Sequence, residues 1–240
     1  MKSPTIFFDL DDTLFDYQGA KNAAIIDFCL LLDRSFPSAA CAVTLWDTLT
    51  STYMEQYHRG ELSYAEQQQK RVSRFMGVVL DAYRAQQWYD RYQSVYEQHW
   101  RTFNDVLPVL NALKHQGFSQ AIITDGPPQQ RHKLRQLAIE SFFEHMTIPQ
   151  EVGCPKPDPK IFILAAHKAQ QPVTECWYVG NHYQKDFIGA LNAGFKSVWL
   201  NRTGGVSAAQ HTQLNNNRGR GWCIQSLDEL LPIILHNSSA

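Results

Sequence analysis

Two textures alternate along the chain. Short apolar runs of β-forming residues occur at Thr5–Phe8, Ala121–Thr124, Cys176–Val179 and Val198–Leu200, with a shorter run at Met146–Ile148. Runs of this length, closed by Asp, Gly or Asn, predict strands buried on both faces of a parallel sheet. Helical spacing fills the gaps between the later runs. Val106, Val109, Leu110 and Leu113 recur at i, i+3, i+4 and i+7, and Gly117 stops the pattern. Asp158 to Ala169 predicts a second helix with Ile161, Leu164 and Ala165 on one side, and about Gln184 to Asn192 a third, ending at Gly194. Strand–helix–strand alternation predicts an α/β fold, a doubly wound parallel sheet of Rossmann-like type.

The alternation breaks between Tyr17 and about Phe103, where helical periods occur without a strand. Ile25, Phe28, Cys29 and Leu32 form one stripe. Val72, Phe75, Met76 and Val79 form another, and Tyr89, Tyr92, Tyr96, Trp100 and Phe103 a third. At helical spacing an aromatic stripe is read as core packing. The expected organisation is an α/β core, residues 1–16 and 104–240, with an all-helical cap, 17–103, inserted after the first strand. Asn201 to Gly221 is long and polar and reads as a surface loop carrying a short helix, mobile or functional.

Composition narrows the class. Of 240 residues, 44% are hydrophobic and 19% charged, and 22 Lys+Arg against 23 Asp+Glu give a formal charge of −1. This is a globular composition with no electrostatic reason to expect nucleic acid or an anionic membrane as partner. The five cysteines are scattered without a C-x-x-C pair, which suits reduced thiols in the cytoplasm. The N-terminus lacks a signal-peptide pattern, and the longest apolar run, Ile161–Ala166, is far below membrane-spanning length.

Four segments carry candidate chemistry. The first strand runs into Asp9-Leu10-Asp11-Asp12-Thr13-Leu14-Phe15-Asp16. Ligands of open α/β sheets bind at the carboxyl ends of strands. There, Asp9 and Asp11 can converge on a hard divalent cation such as Mg²⁺. The second strand ends at Thr124-Asp125-Gly126, a strand-to-helix turn before Pro128 with a hydroxyl and backbone N–H groups suited to an anion. Lys156 stands between two prolines in Gly153-Cys154-Pro155-Lys156-Pro157-Asp158-Pro159, where a stiff backbone can present its charge to a phosphate or a carboxylate. The fourth strand leads through Gly180-Asn181-His182 to Asp186, which either caps a helix or turns back to a metal; His182 reads as an incidental loop residue.

In this order and at these strand ends, the segments resemble the haloacid dehalogenase-like hydrolase superfamily, in its phosphatase branch with an inserted helical cap. The resemblance implies a Mg²⁺-dependent phosphatase acting on a small phosphomonoester, such as a sugar phosphate or nucleotide. It implies Asp9 as the nucleophile that forms an aspartyl-phosphate, and Asp11 as general acid and then base. Thr124, with Asp125 and Gly126, would bind phosphate, and Lys156 would offset its charge. Asp9, Asp11 through its carbonyl, Asn181 and Asp186 would surround the metal. Two positions depart from the family pattern: Asn181 stands where Asp is usual, and Asp125 where Asn is usual. Asn181 is shared with the dehalogenase branch, so a haloacid dehalogenase is an alternative, as is a weakly active or non-catalytic binding protein of the same fold. Asp11, which that branch lacks, favours phosphoryl transfer. Specificity is expected in the cap, with Phe15, Asp16, Tyr17 and the region 60–71 as candidates, and Arg71 read as an exposed helix-face residue.

Overall fold

The structure, a computed structural model, describes residues 3–127 and 129–238. Pro128, where the second motif was expected to turn into its helix, and the N-terminal Met1-Lys2 lie outside them. The chain divides into two compact units, residues 1–16 with 101–240, and residues 17–100.

The first unit is built on six parallel strands: β1 (Thr5–Phe8), β2 (Ser119–Ile123), β3 (His145–Thr147), β4 (Cys176–Gly180), β5 (Lys196–Leu200) and β6 (Gly221–Ile224). Their order in the sheet is β3-β2-β1-β4-β5-β6. The order reverses at β1, which pairs with β2 on one side and β4 on the other, so the carboxyl ends of β1 and β4 flank the crevice where such sheets bind ligands. Four strands are apolar because both faces are covered. On one face Phe7, Ala121, Ile123 and Tyr178 pack with Ile161, Phe162, Ala165 and Phe195. Leu164, expected on that buried side, is exposed; Phe162 and Ala166 take the inner positions with Ile161 and Ala165.

The second unit is all-helical: α1 (Tyr17–Cys29), α2 (Ala39–His58), α3 (Tyr64–Met76) and α4 (Ala82–Gln98). The aromatic stripe is its core. Tyr89, Tyr92 and Tyr96 are buried, Tyr92 stacks on Tyr96 at 6.0 Å and 5°, and Trp46 meets Tyr92 at 4.2 Å. The stripe ends sooner than its spacing suggested. Helix α4 stops at Gln98, and the Phe103 amide donates instead to Leu14 O in the first unit at 3.2 Å. Leu32 likewise lies past the end of α1. Val79 is fully exposed because Gly77, at φ 74°, closes α3 in a left-handed cap before it. Helix α2 had no counterpart in the apolar pattern because its threonines blur it; Thr48, Thr50 and Thr52 bond back to the carbonyl four residues earlier at 2.8–2.9 Å.

The remaining helices belong to the first unit: α5 (Val106–His115), α6 (Gln130–Gln136), α7 (Pro149–Val152), α8 (Pro159–Lys168), α9 (Gly189–Asn192), α10 (Ala208–Asn216) and α11 (Leu230–Ser238). The helix expected from Gln184 opens as a wide π-turn, Tyr183–Ile188, before α9. The expected polar loop contains α10 and gives way at Gly221 to β6, an edge strand with little apolar signal of its own, whose Trp222 stacks on Trp177 at 4.8 Å. None of the five cysteines forms a disulfide. Among the described residues, no helix is long and apolar enough to cross a membrane.

Candidate active site

Asp9 follows β1 directly, and its amide still bonds to Val179 O of β4 at 2.9 Å. The chain then turns sharply. Asp12 takes φ 60°, a left-handed conformation that Asp tolerates, and its amide donates to Phe15 O at 2.7 Å. The third carboxylate of the cluster therefore belongs to the turn. The same turn returns Thr13 to the strand end.

Asp9 is held on both oxygens. Lys156 Nζ lies 2.7 Å from Oδ1, and the Thr13 hydroxyl donates to Oδ2 at 3.0 Å. That hydroxyl also accepts from the Asn181 amide at 3.1 Å, and Asn181 Oδ1 is 3.4 Å away. A hydroxyl has one proton, and the shorter bond assigns it to Asp9. Thr13 was absent from the residues singled out in sequence, although it stands four positions after Asp9 in the same motif.

Lys156 is the hub. Its ammonium also reaches Asp186 Oδ1 at 2.6 Å and the Tyr178 hydroxyl at 3.0 Å. Tyr178 in turn donates toward Ile123 O at 3.0 Å, and its hydroxyl is 3.1 Å from Asp186 Oδ1. The Lys156 amide donates to Asp125 Oδ1 at 2.9 Å, so Asp125 braces the backbone that carries the lysine. Asp186 Oδ2 accepts from the His182 amide at 2.8 Å; His182 contributes its backbone there. The π-turn brings Asp186 inward, and its amide and that of Phe187 share His182 O at 2.8 and 3.4 Å.

Charge in this cluster is unbalanced. Burial pushes the Asp9 carboxyl up to about 7; Lys156 opposes the rise, and Asp186 and Asp11 add to it. Burial disfavours charge on Lys156, yet Asp186 and Asp9 outweigh it and hold its pKa well above the ordinary lysine value. Two carboxylates against one ammonium leave room for a further cation.

Asp11 has separate partners. Gln130 Nε2 donates to Oδ2 at 2.7 Å and Lys133 Nζ to Oδ1 at 2.6 Å, both from α6. Sequence reading missed this pair. The available signal was a helix whose inward positions, Gln130, Lys133 and Leu134, are two-thirds polar. At the end of β2, Thr124 is buried and its hydroxyl accepts from the Gly126 amide at 3.2 Å. The expected residues Asp9, Lys156, Asn181 and Asp186 form one connected cluster. Asp11 is joined to α6, and Thr124–Gly126 lies just before α6 in the chain and meets the Lys156 amide through Asp125. Arg202, at the start of the polar segment, forks onto Asp105 at 2.8 and 3.0 Å and donates to Thr13 O at 2.9 Å, anchoring the motif turn from behind.

Gly180 is required by the approach of Asp186. A Cβ there would lie 2.5 Å from Asp186 Cγ and Oδ2. Gly180→Ala therefore displaces a buried carboxylate; the expected cost is about 1–3 kcal/mol, with loss of turnover, read by thermal melting and phosphate release.

In the helical unit, Arg71 is buried rather than exposed. It donates to Thr50 Oγ1 at 3.1 Å and the Tyr89 hydroxyl at 2.8 Å, and lies over the Trp46 and Tyr89 rings at 5.0 and 5.2 Å. Stacking against aromatic faces is what allows the guanidinium inside. Asp16 pairs with Arg101 at 2.8 Å.

Residues 4–194 match the family model of the haloacid dehalogenase-like hydrolases. The chain belongs to this family. Among similar proteins, the N-acylneuraminate-9-phosphatase of Rattus norvegicus is 27% identical over 208 residues, covering 84% of each chain. The glyceraldehyde 3-phosphate phosphatase of Methanopyrus kandleri is 39% identical over 103 residues, which span 42% of this chain and 44% of that one. The structure of the HAD-hydrolase YfnB from Bacillus subtilis bound to magnesium superposes with a TM-score of 0.74 at 20% identity, over 98% of this chain and 100% of that one. A 2-haloacid dehalogenase from Pseudomonas syringae pv. Tomato DC3000 gives 0.72 at 23% identity, over 98% and 99%. At these identities the solved structures establish the fold alone; within it, this hydrolase carries its own set of polar residues at the ends of β1 and β4.

Proposed function

We propose that this hydrolase is a Mg²⁺-dependent phosphatase of small phosphomonoesters. The observation that carries the reading is Asp9, a buried carboxylate at the carboxyl end of the central strand, bonded by Lys156 and Thr13, with a second carboxylate two residues on. The curated relatives named above, both phosphatases by name, support the reaction class.

Among the described residues, no three His, Cys, Asp or Glu side chains cluster to hold a metal by themselves. The oxygens around the Thr13 hydroxyl, Asp9 Oδ2 and Asn181 Oδ1, are hard donors and suit Mg²⁺, which keeps several waters. The pairing of two buried carboxylates, Asp9 and Asp186, with the single Lys156 ammonium also fits a further cation. Asp9, Asn181 and the Asp11 carbonyl would hold it. Asp186, whose two oxygens are occupied by Lys156, Tyr178 and the His182 amide, supports the site through Lys156. Bound there, the ion would neutralise phosphate oxygens and favour the ionised form of Asp9.

In the first step an Asp9 oxygen attacks phosphorus, the P–O bond to the leaving alcohol breaks, and Asp11 gives that oxygen a proton. Lys156 offsets charge on the transferring group, and the Thr124–Gly126 turn offers hydroxyl and amide donors. In the second step water attacks the phosphorus of the aspartyl-phosphate, Asp11 takes its proton, and Asp9 leaves as carboxylate. A dehalogenase has no use for Asp11; here that side chain has two dedicated partners, which favours phosphoryl transfer.

The test is a panel of phosphomonoesters assayed with and without Mg²⁺, alongside calorimetry of Mg²⁺ binding. Ionised Asp9 coordinates and protonated Asp9 does not. Below about pH 7, Mg²⁺ binding is expected to release a proton and to weaken as pH falls; at about pH 8.5 the release disappears. Phosphate release unaffected by chelation, or proton release unchanged across that range, counts against the reading.

A further inference from the structure

The grip on Asp11 goes beyond the roles so far assigned. Gln130 and Lys133 occupy one oxygen each, from positions i and i+3 of α6, so the carboxylate plane is fixed from one side. Lys133 is buried and lies 4.3 Å from the centre of the Phe15 ring, and Gln130 is buried too; neither is a surface side chain that happened to find a counter-charge. Gly126 completes the device. A Cβ at residue 126 would fall 2.0 Å from Gln130 Nε2 and 2.5 Å from its Cδ. The amide reaches Asp11 only because the turn after β2 has no side chain there. Gly126 has no left-handed backbone to explain it, since its φ is not among the positive ones.

We propose that Lys133 and Gln130 are positioning residues that aim the Asp11 carboxylate at the water attacking the phosphoenzyme. Each oxygen of a carboxylate accepts more than one hydrogen bond. With one donor on each, lone pairs remain to take the proton from water, and the side chain cannot swing away between the two chemical steps. The inference rests on the phosphatase reading above and assigns residues to its second step: water oxygen bonds to phosphorus, the P–O bond to Asp9 breaks, and the proton passes to an Asp11 oxygen held by α6.

The experiment uses p-nitrophenyl phosphate and Mg²⁺. Its leaving group departs readily without a proton, so loss of Asp11 aim slows only the second step. Lys133→Met keeps the stem over Phe15 and removes the charge. Gly126→Ala pushes Gln130 aside, at little cost because the displaced atoms are the end of a flexible side chain. Pre-steady-state assays are expected to show a nitrophenolate burst approaching one per site in Lys133→Met, a kcat lower by about 10²-fold, and phosphoenzyme accumulating in acid-quenched samples by intact mass. Gly126→Ala shows the same pattern with a smaller fall, and Gln130→Leu matches it. Lys133→Met and Gln130→Leu keep wild-type affinity for inorganic phosphate. A fall in kcat without a burst, or no fall in a folded Lys133→Met protein, overturns the assignment while leaving the phosphatase reading intact. A wild-type protein that forms no phosphoenzyme and turns over no phosphomonoester overturns both.

Discussion

Asp9→Asn is expected to be inactive and, at about pH 8 without divalent cation, more stable than the wild type. The reason is the cost of an ionised carboxyl in this position. Burial moves Asp9 from the ordinary 3.8 to about 7 in the folded protein. Between those values the folded protein holds a proton that the unfolded chain has already lost. Stability therefore falls as pH rises through this window, by at most about 4 kcal/mol for this one group. Below about pH 4 both states are protonated and the contribution vanishes. An amide at residue 9 still accepts from Lys156 through its oxygen but cannot ionise. Its gain is smaller than the full penalty because the attraction of Lys156 is also weakened; about 1–2 kcal/mol is expected. Chemical denaturation at a series of pH values checks this: the wild-type curve slopes downward between about pH 4 and 7, and the variant loses that slope. Phosphate release falls to background, since an amide cannot act as the nucleophile.

Lys156→Met is expected to fail in both respects, losing activity and stability together. Lys156 Nζ is the only atom that bonds to both Asp9 and Asp186 among the described hydrogen bonds. Both carboxylates are buried, 6% and 1% exposed, so water does not replace the ammonium. Removing one partner of a buried ion pair costs about 3–5 kcal/mol, because it strands charge inside the protein. Two mutually repelling carboxylates put this variant at the upper end. The penalty shrinks in acid, where Asp9 protonates, and a double variant with Asp9→Asn recovers part of it; the recovered fraction, from a double-mutant cycle, reports the coupling. Turnover falls by about 10²–10³-fold, the range seen when a charge-stabilising donor is removed.

Much of this was legible in the chain. An apolar run cannot end in Asp9-x-Asp11 at no cost unless something neutralises it, and Lys156 between prolines is poised to do so. Strands β1, β2, β4 and β5 carry enough β-branched and aromatic residues to be read alone. What escaped had weak local signals. Helix α2 hides its period behind threonines whose hydroxyls are satisfied by the helix itself. Strand β6 is an edge strand that opens on glycine. Tyr178 looks like any strand aromatic until its hydroxyl is found on Lys156, although a tyrosine in a fully buried strand needs a partner. Lys133 and Arg202 act across 122 and 189 residues of sequence, on Asp11 and on the carbonyl of Thr13. No periodicity connects such positions; only the fold does. Arg71 was misread for a related reason, since its aromatic neighbours come from α2 and α4.

The role of Asp9 itself is open to one direct measurement. Enzyme mixed with a phosphomonoester and Mg²⁺ is quenched in acid within the first turnover, digested, and mapped by mass spectrometry. The result expected is a single phosphoryl group on the peptide containing Asp9, stable in acid, released by hydroxylamine and absent from Asp9→Asn. Turnover with no modified peptide, or a phosphoryl group carried on another residue, contradicts Asp9 as the nucleophile.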